Sequence, residues 1–367
     1  MPVPLLDIQR QHAPLAPEFN EAFNRILESG AFILGKEVQA FEASMAEYIG
    51  VKHAIGVSSG TDALLVALMA LDIGQGDEVL CPAFTFFGTA GSIARLGATP
   101  VWVDVDRESF NIDLEDAARK LSAKTKAMMP VHLFGQACDM DAMTTFAKEH
   151  GLAVIEDAAQ AIGAEFKGKQ VGGFTELGAF SFYPTKNLGG LGDGGLVTTN
   201  DDVLAEKVIK LRNHGMHPKY VHQLIGGNFR LDALQAAFLD IKLKYLDKWH
   251  EARGQHAAAY REALKDCGAF ELPAILPYRR HVWNQFTLKV LDGRRDELRN
   301  YLNAKGIGSE IYYPIALDQQ ACFSSNCRGG GSIRVSHELA ASVLSIPVFP
   351  ELTVAERDEV IEALKQF

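Results

Sequence analysis

The segment FSFYPTKNLGGLGDGG (residues 180–195) sets one lysine, Lys186, between aromatic residues and a string of glycines. A lysine in water keeps its proton up to a pKa of about 10.4 and is a poor nucleophile. Desolvated among aromatic side chains, it gives up that proton more readily, and the free amine is then available for Schiff-base chemistry. The plainer reading is an exposed lysine in a turn. Gly190, Gly192 and Gly195 also satisfy G-x-G-x-x-G literally. A dinucleotide site, however, needs those glycines between a strand and a helix N-terminus. Here GLVTTND follows, a strand and then a turn, so the glycines are read as permitting a tight turn and a close backbone approach.

Two other stretches invite chemistry. In SSGTDALLVALMAL (58–71), Gly60 and Thr61 stand where a strand gives way to a helix. Free amides and the positive dipole end at such a point hold phosphate, although Ser59 or Thr61 could equally serve only as a cap. In IEDAAQ (155–160), Asp157 ends an apolar strand, where ligands of open α/β sheets gather. A capping box, with Asp157 as cap and Gln160 three residues on, explains the same residues. Together the stretches fit one ligand. Gly60, Thr61 and Ser181 would take a phosphate, Asp157 a ring nitrogen, Phe86 a flat face and Lys186 an aldehyde. That ligand is pyridoxal 5′-phosphate. A carboxylate on its ring nitrogen keeps the nitrogen protonated, so that the ring accepts electrons from a carbon being deprotonated. The displaced lysine amine can then move the proton.

The elements that must position these groups read as α/β. Seven short apolar runs (54–59, 78–83, 100–106, 126–134, 152–158, 179–184 and 195–200) predict strands covered on both faces. Helical patterns separate the first five, which implies a mostly parallel, seven-stranded sheet between helices. Helical patterns dominate from about 201 to 265. A smaller C-terminal α+β domain follows: strand VWNQFTLKV, a helix near 294–305, strand GSEIYYP, and a closing helix after Pro350. GGGS (329–332) reads as a flexible loop. The expected division is a large domain over 1–248 and a small one over 249–367. With 367 residues, 47% of them hydrophobic, the chain can bury two cores. The net charge of −10 argues against a nucleic-acid partner or an anionic membrane surface. Five cysteines, odd in number and mostly scattered, fit reduced thiols in a cytoplasmic protein. Cys322 and Cys327 have no second pair at zinc spacing, so no metal is expected. Neither a signal peptide nor a membrane span is expected.

The chain also resembles the DegT/DnrJ/StrS-type sugar aminotransferases of the aspartate-aminotransferase superfamily. The marks run from LLDIQRQ (5–11) to LSIPVFPELT (344–353). They include SSGTDAL, GDEVLCPAFTF, PVHLFGQACDMD, VIEDAAQAIGAEFKGK, FSFYPTKNLGGLGDGG, LRNHG, GGNFRLDALQAA and YYPIAL. The resemblance implies that Lys186 carries the cofactor as a Schiff base, Asp157 pairs with its ring nitrogen, and Gln160 meets its ring hydroxyl. Phe86 would stack on the ring, and Gly60, Thr61 and Ser181 would bind the phosphate. Asn228 would reach the phosphate of a neighbouring subunit, implying a homodimer with shared sites. Arg230, Tyr312 and Tyr313 would lie near the sugar or its diphosphate. His222, in an apparent loop after Lys219 and Tyr220, is a candidate diphosphate contact, and Tyr183 a candidate pocket residue; each has a structural reading as well.

The implied activity is transfer of an amino group from L-glutamate to a keto group of a nucleotide-linked sugar, at C3 by the likeness of the N-terminal half and lysine segment. A 4-keto sugar is the alternative. Many relatives have His-Tyr-Pro at Tyr312–Pro314, Pro-Leu-His at Ala316–Asp318, and other residues at Ile333, Arg334 and His337; these departures bear on the sugar and leave the cofactor chemistry untouched. Two rivals come from other classes. Sugar dehydratases of this kind carry histidine at the lysine position, which Lys186 argues against. A regulatory protein would want a DNA-binding element, and no basic face or helix-turn-helix is visible.

Overall fold

The computed structural model describes residues 2–367. Helices α1 (Ile8–His12), α2 (Ala16–Ser29) and α3 (Lys36–Ile49) lead to β1 (His53–Val57). An alternation follows: α4 (Gly60–Ala70), β2 (Glu78–Pro82), α5 (Phe87–Arg95), β3 (Thr99–Val103), α6 (Leu114–Arg119), β4 (Thr125–Met128), α7 (Met140–His150) and β5 (Ala153–Asp157). Two short strands, β6 (Glu165–Phe166) and β7 (Lys169–Gln170), precede β8 (Leu177–Ser181) and β9 (Gly195–Thr199). Then come α8 (Asp202–Leu211), α9 (Ala233–Leu243) and α10 (Leu246–Leu264). The C-terminal part holds β10 (Phe270–Glu271), β11 (Arg279–Arg280), β12 (Phe286–Val290), α11 (Arg295–Ala304), α12 (Val335–Ser342), β13 (Val343–Ile346) and α13 (Val354–Lys365).

The seven predicted strands form one sheet in the order β1-β9-β8-β5-β4-β2-β3. The pairings from β3 through β2, β4 and β5 to β8 are parallel. β9 runs antiparallel to both β8 and β1. Helices cover both faces, so β2 and β9 are buried at every residue, and their sequences show no alternation: the polar members, Glu78 in β2 and Thr198 and Thr199 in β9, are gathered at one end of each strand. β12 lies between β10 and β13 in a small antiparallel sheet, packed by α10, α11 and α13. The apolar cluster around it also takes in Val3, Phe84, Val131 and Phe134. α10 runs from one core to the other: Leu246 and Trp249 pack with the large sheet, Tyr260 and Leu264 with the small one.

Two expectations need correction. Residues 212–232, read as helical, contain no helix. The segment folds back on itself, with isolated bridges pairing Met216 with His222 and Asn213 with Asn228. Pro218 lacks the N–H a helix needs, and Gly215 adopts φ 68° where a Cβ would overlap the Leu224 carbonyl. GSEIYYP is not a strand either: only Glu310 bridges, to Ser345, before the chain turns inward with Tyr312 and Tyr313. The sequence reading also missed β6, β7 and β11, which form a separate small sheet, and α12 with β13. GGGS follows Arg328, which is held on the edge of the large sheet by exchanging hydrogen bonds with Pro100 and Trp102.

Candidate active site

The site forms where β5 and β8 end, at the start of α4. This is the side of an open α/β sheet on which ligands collect. Ser59 caps α4, its hydroxyl accepting from the Asp62 N–H at 3.1 Å. The cap therefore leaves the first two helical N–H groups, those of Gly60 and Thr61, without a partner inside the helix. Ser181, the last residue of β8, stands against Gly60 so closely that a Cβ there would come within 2.5 Å of the Ser181 Cβ. Only glycine brings the two backbones this near. Gly195 does the same on the other side, where a Cβ would lie 2.3 Å from the Ser59 carbonyl oxygen. The glycine string is thus a matter of close approach, and its last member opens β9 instead of a helix.

Asp157 ends β5 and is 4% exposed. No helix follows it, so the capping-box reading fails. One carboxylate oxygen accepts from the Thr89 hydroxyl at 2.8 Å, the other from the Ala159 N–H at 3.2 Å. Burial raises this carboxyl above its ordinary range, while those two donors and the nearby Lys186 oppose the shift. Gln160 is fully engaged: its amide oxygen accepts from the Phe134 N–H at 2.7 Å and its amide nitrogen donates to the Tyr313 hydroxyl at 3.0 Å. The Tyr313 phenol is pushed up by burial. Its ring lies 6.1 Å from that of Phe86, centroid to centroid.

Lys186 sits in the loop after β8, its backbone N–H donating to the Tyr183 carbonyl at 2.8 Å. Burial pushes its ammonium down to about 8, with Asp157 opposing. The loop is held from two sides. Asn187 donates to the Val282 carbonyl at 2.9 Å and accepts from Asn284 at 3.0 Å. From below, the fully buried Lys242 donates to the Gly189 carbonyl.

A cavity of about 620 Å³ joins these residues; Gly60, Thr61, Phe86, Asp157, Gln160, Ser181, Tyr183, Lys186, Tyr312 and Tyr313 all line it. Three sequence candidates do not. Asn228 is exposed. Arg230 donates to Asn213 at 2.7 Å. His222 is exposed and bonds the His214 carbonyl at 2.9 Å. Thr85, Thr89 and Gln285 line the cavity and were missed from the sequence. Thr89 could have been suspected only from its place one helical turn past Phe86, on the buried face of α5. His132, another tempting histidine, is fully buried. It accepts from the Cys138 N–H at Nδ1 (3.0 Å), so its proton sits on Nε2, facing Glu156 at 3.1 Å. Among the described residues no cluster suited to a metal ion occurs, and no helix is long and apolar enough to cross a membrane.

Comparison with known proteins extends over the whole chain. The profile of the "DegT/DnrJ/EryC1/StrS aminotransferase family" matches residues 14–365. A "pleiotropic regulatory protein" of Geobacillus stearothermophilus is 46% identical, over 100% of this chain and 99% of its own. The "dTDP-3-amino-3,6-dideoxy-alpha-D-galactopyranose transaminase" of Aneurinibacillus thermoaerophilus is 43% identical, over 100% and 99%. The crystal structure of S. venezuelae DesV in complex with a ketimine intermediate superposes with a TM-score of 0.97 at 40% identity, covering 100% of this chain and 98% of that one.

Proposed function

The chain belongs to the DegT/DnrJ/EryC1/StrS aminotransferase family, and on that premise we propose that it is a pyridoxal-phosphate-dependent transaminase moving the amino group of L-glutamate to C3 of a nucleotide-linked keto sugar. The observation that carries this reading is the pairing, at one cavity, of a buried carboxylate with a lysine whose ammonium is pushed down to about 8.

The residues present fit the cofactor. The Gly60 and Thr61 N–H groups and the Ser181 hydroxyl are donors suited to a phosphate. Asp157 retains acceptor capacity, since each of its oxygens accepts only one hydrogen bond within the protein. Phe86 and Tyr313 bound the cavity with flat apolar surface. When bound, pyridoxal phosphate supplies an electron sink for the substrate carbon that loses a proton. Asp157 would hold the ring nitrogen in its protonated form, and Thr89 would hold Asp157. The Lys186 Nζ would take the proton from the glutamate Cα; in the second half of the reaction it would deliver one to the sugar carbon that bore the ketone.

Lys186 is the single cation among the residues lining the cavity. A dicarboxylate or a sugar diphosphate needs more positive charge, which supports a homodimer whose second copy lends Arg230, Asn228 and His222. The exposed Phe23, Leu27, Phe32 and Ile33 of the α2 region, with Tyr220 and Ile225, supply apolar surface for such a contact. Mixing Lys186→Ala with Asn228→Ala protein under exchange conditions is therefore expected to restore activity that neither variant has alone. Hybrid dimers would hold one site with both residues intact. An unrestored mixture would rule out shared sites.

The test of the function itself is spectroscopic. Wild-type protein with pyridoxal phosphate is expected to show a visible band that L-glutamate bleaches and a nucleotide-linked keto sugar restores. Failure of glutamate to bleach it would overturn the transaminase reading. Bleaching without restoration by any such sugar would overturn the acceptor. The regulatory name of one relative is answered by the same spectrum.

A further inference from the structure

Gln285 follows Asn284, the residue that donates to Asn187 beside Lys186. Its backbone is thus tied to the same frame as the lysine. The residue borders both the 620 Å³ cavity and a void of about 10 Å³. Every other amide or buried hydroxyl at the cavity wall has a role inside the protein. Gln160 uses both ends of its amide, and Thr85 and Thr89 bond each other and Asp157. The Gln285 carboxamide has no side-chain hydrogen bond among the described residues. Its Oε1 is closed off from solvent and unpartnered. A buried carbonyl oxygen left this way is destabilising; closed off where it stands, it meets a ligand in the cavity only once the carboxamide turns about its terminal bond.

We propose that Gln285 is a specificity-determining residue that reads a ring hydroxyl of the acceptor sugar. This rests on the function proposed above and adds to it. A carboxamide offers an acceptor at one end and donors at the other, and rotation about its terminal bond exchanges them. A hydroxyl both donates and accepts, so it meets either end. A carboxylate or a phosphate only accepts, and meets one. The end without a partner is the acceptor Oε1, and a sugar hydroxyl can donate to it where the two carboxylates of glutamate cannot.

The experiment uses holoenzyme and runs the second half-reaction backwards, with stable amino sugars as donors. Bleaching of the visible band is followed against concentration for L-glutamate and for a dTDP-linked and a UDP-linked 3-amino hexose. Gln285→Met keeps the shape and removes both hydrogen-bonding ends. It is expected to raise the half-saturating concentration of the amino sugar about tenfold, the effect of one hydrogen bond. The limiting rate and the whole glutamate response should stay within about twofold, which also reports that the variant folds. If the glutamate and sugar responses weaken together, the amide holds the wall and the proposal falls. If neither changes, the amide serves only the void behind it and the proposal also falls. A wild-type protein bleached by glutamate and by neither amino sugar would instead sink the nucleotide-sugar reading, and this inference with it.

Discussion

Lys186→Ala is expected to lower turnover roughly 10⁴-fold, the upper range for a positioned general base, while leaving the protein folded. That loss corresponds to about 5 kcal/mol of barrier. The argument begins with burial. The Lys186 ammonium is pushed down to about 8, so near neutral pH a useful fraction of the amine is free, where an ordinary lysine would offer very little. Lys186→Arg separates charge from proton transfer. Arginine keeps the positive charge beside Asp157 but does not release its proton, so it should be as inactive as alanine. The pH dependence has a definite sign. Below about 8 the neutral fraction of Lys186 grows tenfold per pH unit, and above it the fraction saturates. Covalent capture of pyridoxal phosphate by apo-protein, followed by its visible band at a series of pH values, should rise and then level off near that point. A capture rate still climbing to pH 10 would show that the amine is not desolvated.

Asp157→Asn should cost about 10²- to 10³-fold in turnover, comparable with loss of one preorganised electrostatic contact at a reacting centre. The amide has nearly the same shape and still accepts from Thr89, but it cannot hold a proton on a neighbouring ring nitrogen. Spectra should then separate binding from chemistry: cofactor is still captured, yet glutamate bleaches it slowly. Equal loss of capture and bleaching would place Asp157 in the fold instead. Thr89→Val gives a milder check. Thr89 donates to the carboxylate and favours its charged form, so its removal raises the Asp157 pKa further. The acidic limb of the turnover profile should move to higher pH, with about a tenfold loss on that limb for one hydrogen bond. An unmoved limb would mean that Thr89 does not control the carboxylate.

Much of this architecture is written locally in the chain. Apolar runs of five or six residues separated by helical patterns predict the parallel sheet, because strands covered on both faces must be apolar throughout. Lys186, Asp157, Gly60 and Thr61 were legible because each stands at a junction that sequence marks: the end of an apolar run, a serine cap, a glycine string. The resemblance to a family added Gln160, Tyr312, Tyr313 and the more distant Asn228 and Arg230.

Tertiary structure decided the rest. Nothing local says that β9 turns back to lie antiparallel between β1 and β8, since an apolar run reads the same in either direction. The 212–232 segment has enough apolar and charged residues to pass for a helix, but its form is set by hydrogen bonds between residues that local pattern does not pair. The partners of the site were equally hidden. Thr89 meets Asp157 across 68 positions, and Tyr313 meets Gln160 across 153. Gln285 gains its meaning from a carboxamide that has no hydrogen-bond partner among the described residues, a property that exists only once its neighbours have been placed. Side-chain type and spacing set what chemistry each residue could perform. Which residues face the same cavity, and which amide remains free there, followed from long-range packing, because burial and hydrogen-bond satisfaction depend on contacts that sequence order does not encode.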